Sequence, residues 1–165
     1  MSKKPVTLSV LNRRAFLITA GTAAAFLPAL DLFAQEVSVP EAVQRTKLFE
    51  EAYAALVAGG TPLEGKMTLE LPEIAENGNF VPLTVVVDSP MTPEDHVKVI
   101  HILATANPVA RVASFHLSPV NGAAKVQSRM RLAKTQDVVA IAQLSNGLLL
   151  AATATVKVTI GGCAS

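Results

Sequence analysis

Two stretches of this chain alternate apolar and polar residues more cleanly than the rest, and they point to a sheet architecture. In the first, Val126, Ser128, Met130 and Leu132 oppose Lys125, Gln127, Arg129 and Arg131; in the second, Ala154, Val156, Val158 and Ile160 oppose Thr153, Thr155, Lys157 and Thr159. Side chains on a strand point alternately to opposite faces, so each run predicts an antiparallel strand with one packed and one wet face. The rest of the region after Gly60 reads the same way, as short β-branched runs cut by turn residues. Met67–Leu71, Phe80–Asp88, His96–Ala104, Arg111–Leu117 and Val138–Leu144 supply further strands. Asn77-Gly78-Asn79, Ser89-Pro90, Asn107-Pro108 and Pro119-Val120-Asn121-Gly122 punctuate them, and Ser145-Asn146-Gly147 is a strong hairpin turn. About seven short strands at regular spacing predict a mainly β fold, an immunoglobulin-like antiparallel β-sandwich. With one cysteine and no tryptophan, the chain lacks the disulfide and buried indole of antibody domains, so only the architecture is implied.

A single helix is expected ahead of the sheets. Ser38-Val39-Pro40-Glu41 has the form of a helix start, with a capping serine, a proline in the first turn and an acid three residues after the cap. Ala42, Phe49, Ala52, Tyr53 and Leu56 then recur at helical spacing, and Gly59-Gly60 supplies a stop. The bland reading of that stripe, a helix packed on its own sheet, is preferred to a partner-binding face.

The first 34 residues read as an address. Arg13 and Arg14 precede a weakly apolar run, Ala15 to Ala29, too short for the roughly 20 residues a membrane-spanning helix needs. Paired arginines before such a run predict a twin-arginine export signal cleaved near Ala34, and hence a periplasmic protein. The domain plan is residues 1–34 as signal, 35–160 as helix plus sandwich, and 161–165 as a flexible C-terminal arm. Without the four basic residues and one acid of the leader, ten basic and twelve acidic residues remain, a net charge of −2. That balance gives no reason to expect nucleic-acid or anionic-membrane binding.

Few residues offer chemistry. His96 and His101 differ by an odd number, which puts them on opposite faces of a regular strand, and neither they nor His116 sit in a metal-ligand pattern. They read as structural or surface histidines. Arg129, Arg131 and Lys134 form a basic patch for an anion or a partner, or simply a solvated strand face. The sole cysteine stands apart, in Gly161-Gly162-Cys163-Ala164-Ser165. Glycines remove side-chain bulk and free the backbone, and five extended residues reach at most about 17 Å. Cys163 is therefore expected to be a reachable thiol, with Gly161 and Gly162 as its leash. A free thiol titrates at about 8.5, and nothing in the sequence activates this one, which favours a carrier over an enzyme. The alternative is an interaction module whose Cys163 only forms an intermolecular disulfide; a thiol enzyme lacks an evident base.

Several of these segments together resemble one family. They are Glu76-Asn77-Gly78-Asn79-Phe80-Val81-Pro82-Leu83, Val87-Asp88-Ser89-Pro90-Met91-Thr92, His101-Ile102-Leu103-Ala104, Arg131-Leu132-Ala133-Lys134-Thr135-Gln136 and Val156-Lys157-Val158-Thr159-Ile160-Gly161-Gly162-Cys163, behind the twin-arginine leader and the helix. The chain resembles SoxY, the sulfur-substrate carrier subunit of the bacterial thiosulfate-oxidising Sox system. The resemblance implies that Cys163 is the covalent attachment point for thiosulfate and later sulfur intermediates, and that the chain holds no haem, metal or other cofactor. It implies a stable heterodimer with a SoxZ-type subunit and transient partners: a SoxAX cytochrome that joins thiosulfate to the thiol, a SoxB hydrolase that releases sulfate, and SoxCD where present. The family's arm commonly ends Gly-Gly-Cys-Gly-Gly; here Ala164 and Ser165 replace the last two glycines.

Overall fold

The computed structural model describes residues 45–162. Arg13, Arg14, the leader boundary, the Ser38–Glu41 helix start, Ala42 and Cys163-Ala164-Ser165 lie outside the described residues. One helix, α1 (Lys47–Val57), precedes eight strands: β1 (Met67–Glu70), β2 (Ile74–Asn77), β3 (Val81–Val87), β4 (Val97–Ala104), β5 (Arg111–His116), β6 (Ala124–Met130), β7 (Gln136–Leu144) and β8 (Leu149–Ile160). They form a three-stranded sheet in the order β1-β3-β6 and a five-stranded sheet in the order β2-β8-β7-β4-β5. The two sheets make the expected immunoglobulin-like sandwich.

Strand chemistry accounts for the layering. β3 alternates strictly, with Val81, Leu83, Val85 and Val87 buried, and it pairs with β6, where Ala124, Val126 and Met130 are buried. Their apolar faces meet Ile100, Ile102, Ala104, Val138, Ala140, Ala142, Leu150 and Val156 of the larger sheet in one continuous core. β7 does not alternate: Val138 through Ala142 are all buried. A continuously apolar strand needs cover on both faces, and α1 provides the second. Phe49 of the helix packs with Leu103, Ala110, Val139 and Ile141, flanked by Ala52, Tyr53 and Leu56. The helical stripe is thus spent on the chain's own sheet.

Two local features depart from the sequence reading. The described helix begins at Lys47, because Thr46 is extended and its side chain accepts the Phe49 amide at 3.2 Å; its C-cap is Ala58 in the left-handed conformation, one residue before Gly59. A further strand, β2, pairs in parallel with β8, Ala75 lying opposite Val158 and Asn77 opposite Ile160. Every other strand pair is antiparallel. The hairpin at Ser145-Asn146-Gly147 forms as expected: Gly147 takes a positive φ of 86°, and the Leu148 amide bonds the Asn146 side chain at 3.0 Å.

Candidate functional site

The sheet registers bring seven strand ends to one rim of the sandwich. The ends of β2, β4, β6 and β8 meet the starts of β3, β5 and β7 there. The connections at this rim are Gly78-Asn79-Phe80, residues 105–110, residues 131–135 and the segment leaving β8 at Gly161-Gly162. Because β8 is the longest strand and runs to the rim beside β2, it delivers the residues before Cys163 into the middle of these loops.

Gly161 and Gly162 are seated there. The Gly162 amide donates to the Leu132 carbonyl at 2.8 Å, the Leu132 amide donates to the Gly78 carbonyl at 2.8 Å, and the Gly78 amide donates to the Ile160 carbonyl at 2.8 Å. A chain of backbone bonds therefore links β8, the β2–β3 loop and the segment after β6. The packing is closest at three glycines. A Cβ on Gly162 would overlap the Gly78 carbonyl and the Asn79 nitrogen, one on Gly161 would overlap the Ala133 carbonyl, and one on Gly78 would overlap the Leu132 carbonyl. Gly162 is buried while Gly161 is exposed. The structure thus supplies a reason for glycine at both arm positions that the sequence does not show: room for backbone to meet backbone.

A buried polar pair shapes the receiving loop. Gln136 and Asn107 are both buried, and the Gln136 amide nitrogen donates to the Asn107 side-chain oxygen at 2.8 Å. Asn107 also donates to the Arg131 carbonyl at 2.8 Å and accepts the Ala133 amide at 2.9 Å. Gln136 accepts the Ala106 amide at 2.8 Å and donates to the Lys134 carbonyl at 3.0 Å. Buried polar groups persist only when paired, and this pair meets its needs by gripping residues 131–134 from within. Leu132, whose carbonyl holds Gly162, sits at the centre of the gripped stretch. Thr135 adds a tie to β8 by accepting the Val158 amide at 3.0 Å.

Beside this seat lies a groove of about 460 Å³, lined among others by Asn79, Phe80, Asn107, Arg111, Arg129 and Arg131. It runs between β5 and β6, the edge strands of the two sheets. Among the described residues no acid lines it and none of its three arginines enters an ion pair. Arg129 and Arg131, expected on the wet face of β6, are exposed; Lys134 does not line the groove. Arg111 is the member that sequence reasoning missed, since only the folded topology carries the start of β5 to the end of β6.

The histidines are dispersed. His96 lies at the other end of β4 with its Nδ1 3.1 Å from the Thr92 carbonyl, and exposed His116 closes β5. The His101 Nδ1 is 2.7 Å from the Ser114 hydroxyl. Burial, then the positive Arg111 and then His116, hold the His101 imidazole below its usual titration range. Among the described residues no cluster of three or more potential ligands could hold a metal ion.

A family model for the sulfur oxidation protein SoxY matches residues 53–163, most of the described domain and the cysteine after it. The chain belongs to the SoxY family. Among solved structures, it is similar to the sulfur carrier protein SoxY from Chlorobium limicola f thiosulfatophilum, at 40% identity and a TM-score of 0.54 over 67% of this chain and 96% of that one. A superoxide reductase variant from Ignicoccus hospitalis shares the fold at 17% identity and a TM-score of 0.52, over 66% of this chain and 90% of that chain. At that identity the likeness speaks of the sandwich alone. No curated protein sequence matches. Membership of the SoxY family agrees with the resemblance carried by the sequence segments, two of which, Glu76–Leu83 and Arg131–Gln136, form the seat around Gly162.

Proposed function

We propose that this chain carries thiosulfate-derived sulfur covalently on Cys163 and presents it to partner enzymes during periplasmic sulfur oxidation, reached by twin-arginine export. The observation that carries the reading is the SoxY family match, which extends through Cys163. The seat described above lends support, because it holds the residue before the thiol among the rim loops and not in the core between the sheets. Loading is an oxidative joining: the Cys163 thiolate and thiosulfate form a sulfur–sulfur bond, giving a cysteine S-thiosulfonate, and two electrons pass to an oxidant. A c-type cytochrome partner of the SoxAX kind is that oxidant. Water then cleaves the terminal sulfonate, releasing sulfate and two protons and leaving a persulfide on Cys163; a SoxB-type partner supplies that catalysis, and a SoxCD-type partner oxidises the remaining sulfane sulfur. A SoxZ-type subunit is the expected stable companion. The chain acts as carrier and not as enzyme: its own contribution is a nucleophilic sulfur, a tether that keeps the intermediate from diffusing away, and a raised effective concentration at a docked partner.

Intact-mass measurement tests this directly. Incubation with thiosulfate and the SoxAX-type partner alone should add one thiosulfonate group to the wild-type chain and none to Cys163→Ser, which with all partners present should also abolish sulfate release. Full sulfate release by Cys163→Ser would refute the proposal. A disulfide-linked dimer as the active form would do the same and favour a cross-linking role.

A further inference from the structure

We propose that the arginine groove beside Gly162 is a cradle for a sulfur oxyanion, occupied by the anionic group that Cys163 bears; this deepens the carrier reading and rests on it. Three observations carry it. The first is charge: Arg111, Arg129 and Arg131 line one groove with no acid among its described residues, on a chain whose part after residue 34 is net acidic. Three guanidiniums facing one cavity repel each other, and an anion with several oxygens is the ligand that relieves this. Guanidinium forks suit such oxygens through paired N–H donors.

The second observation is reach. Asn79 touches both features: its backbone nitrogen lies against Gly162, and it forms part of the groove wall. Cys163 follows Gly162 directly, so its Cα lies about 3.8 Å from that of Gly162. Its side chain and two sulfur–sulfur bonds of about 2.05 Å each let a terminal sulfonate reach up to roughly 10 Å from the seat. The groove begins one residue away. The third observation is rigidity. The Asn107–Gln136 pair holds the Arg131 carbonyl and the Ala133 amide, so the groove and the seat of Gly162 are built on one loop and keep their spacing. Phe80, 68% exposed on the same wall, offers an apolar surface against which sulfur can lie.

The groove would steer anionic sulfur toward the thiol and hold the product against solvent until a partner docks. The test compares two thiol reagents on the purified chain without any partner enzyme. Tetrathionate is a dianion: the Cys163 thiolate attacks one inner sulfur, forms the S-thiosulfonate and expels thiosulfate. Methyl methanethiosulfonate is neutral and reacts with the same thiolate, so the ratio of the two rates cancels any change in thiolate fraction. Arg129→Gln together with Arg131→Gln should lower that ratio about tenfold at 0.1 M salt, with less effect at 1 M, where screening is nearly complete. Arg111→Gln, made separately, should lower it about threefold. Lys125→Gln removes the same charge from the far end of β6, about 13 Å along the strand from Arg129, and should leave the ratio unchanged. All four positions are exposed, so the variants should melt like the wild type.

An unchanged ratio in both arginine variants overturns the proposal. So does an equal loss in Lys125→Gln, which would reduce the effect to net charge. A defect seen only when partner enzymes are present would likewise overturn it and make the groove a protein-docking surface. Because no partner is needed, a failed groove and a failed carrier assignment give different results: Cys163 could prove dispensable for sulfur oxidation while the rate ratio still falls.

Discussion

Replacing Gly78 with alanine should destabilise the sandwich more than replacing any glycine of the arm itself. A Cβ there would stand 2.7 Å from the Gly162 nitrogen and 3.0 Å from Val158 Cγ1, and would overlap the Leu132 carbonyl. None of these neighbours is the free end of a flexible side chain. Two are backbone atoms in the bonded series that joins Gly78, Leu132 and Gly162, and the third belongs to a half-buried strand residue. Relief requires the Leu132 carbonyl to retreat, which breaks the Leu132-to-Gly78 and Gly162-to-Leu132 bonds. Each is worth about 1 kcal/mol. Residual overpacking adds about 1 kcal/mol or more. The expected cost is about 3 kcal/mol, which for a domain of this size is roughly a 10 °C fall in Tm. In urea, with a slope of about 2 kcal/mol/M, the midpoint should fall by about 1.5 M at unchanged slope. A Gly78→Ala midpoint within about 0.3 M of wild type would refute the close-packing account. Gly162→Ala should cost only about 1 kcal/mol, because Gly162 is held by one described amide bond and can lift away. The double variant should cost less than the sum, since a lifted Gly162 relieves part of the crowding at Gly78.

Two further predictions concern the supports of the rim. Asn107→Ala strands the Ala133 amide and takes one acceptor from the buried Gln136 side chain; it should cost about 2–4 kcal/mol and raise hydrogen exchange at Leu132 and Gly162 more than at β3. His101 gives a pH signature. Its imidazole binds a proton less readily in the folded chain than at its usual value of 6.5, so the unfolded chain takes up the proton first as pH falls. Stability should therefore decline as pH drops below about 6.5 and be insensitive to this group above it. His101→Gln should flatten the urea midpoint between pH 7 and pH 5.5, and Arg111→Gln should raise the His101 titration midpoint observed by NMR. An unchanged slope in His101→Gln would remove this residue from the account.

Strand positions were legible because burial on one face writes a period of two into the sequence, and β3, β6 and much of β8 obey it. β2 escaped because Ile74-Ala75-Glu76-Asn77 buries only Ala75; its strand state comes from pairing with β8, across some eighty residues of sequence, and not from its own pattern. The same separation hid the site. A glycine pair before a cysteine suggests freedom, and only the fold reveals Gly78 opposite it. Asn107-Pro108 reads as a turn and lies in the bend between β4 and β5, yet Asn107 is buried against Gln136, a partnership no local pattern encodes. Arg129 and Arg131 were visible as a charged stripe, while Arg111 joined them only when the sheet edges met.

Freedom and room as reasons for Gly162 predict opposite signs for one substitution. If glycine served to let the arm swing, Gly162→Ala would stiffen the backbone and slow movement between positions. If glycine serves to fit beneath Gly78, the added methyl expels the residue from its seat and frees the segment. Among the described residues the wild-type seat has one amide bond to Gly162, worth about 1 kcal/mol, which by itself leaves a lifted population on the order of one part in five. That balance suits a carrier, since a docking partner needs little energy to draw the thiol away and the empty seat remains for its return. Gly162→Ala should therefore raise hydrogen exchange at residue 162 several-fold and increase the reactivity of Cys163 toward a neutral reagent, with little change in global stability. Slower exchange and lower reactivity would establish freedom as the reason and remove the seat from the mechanism.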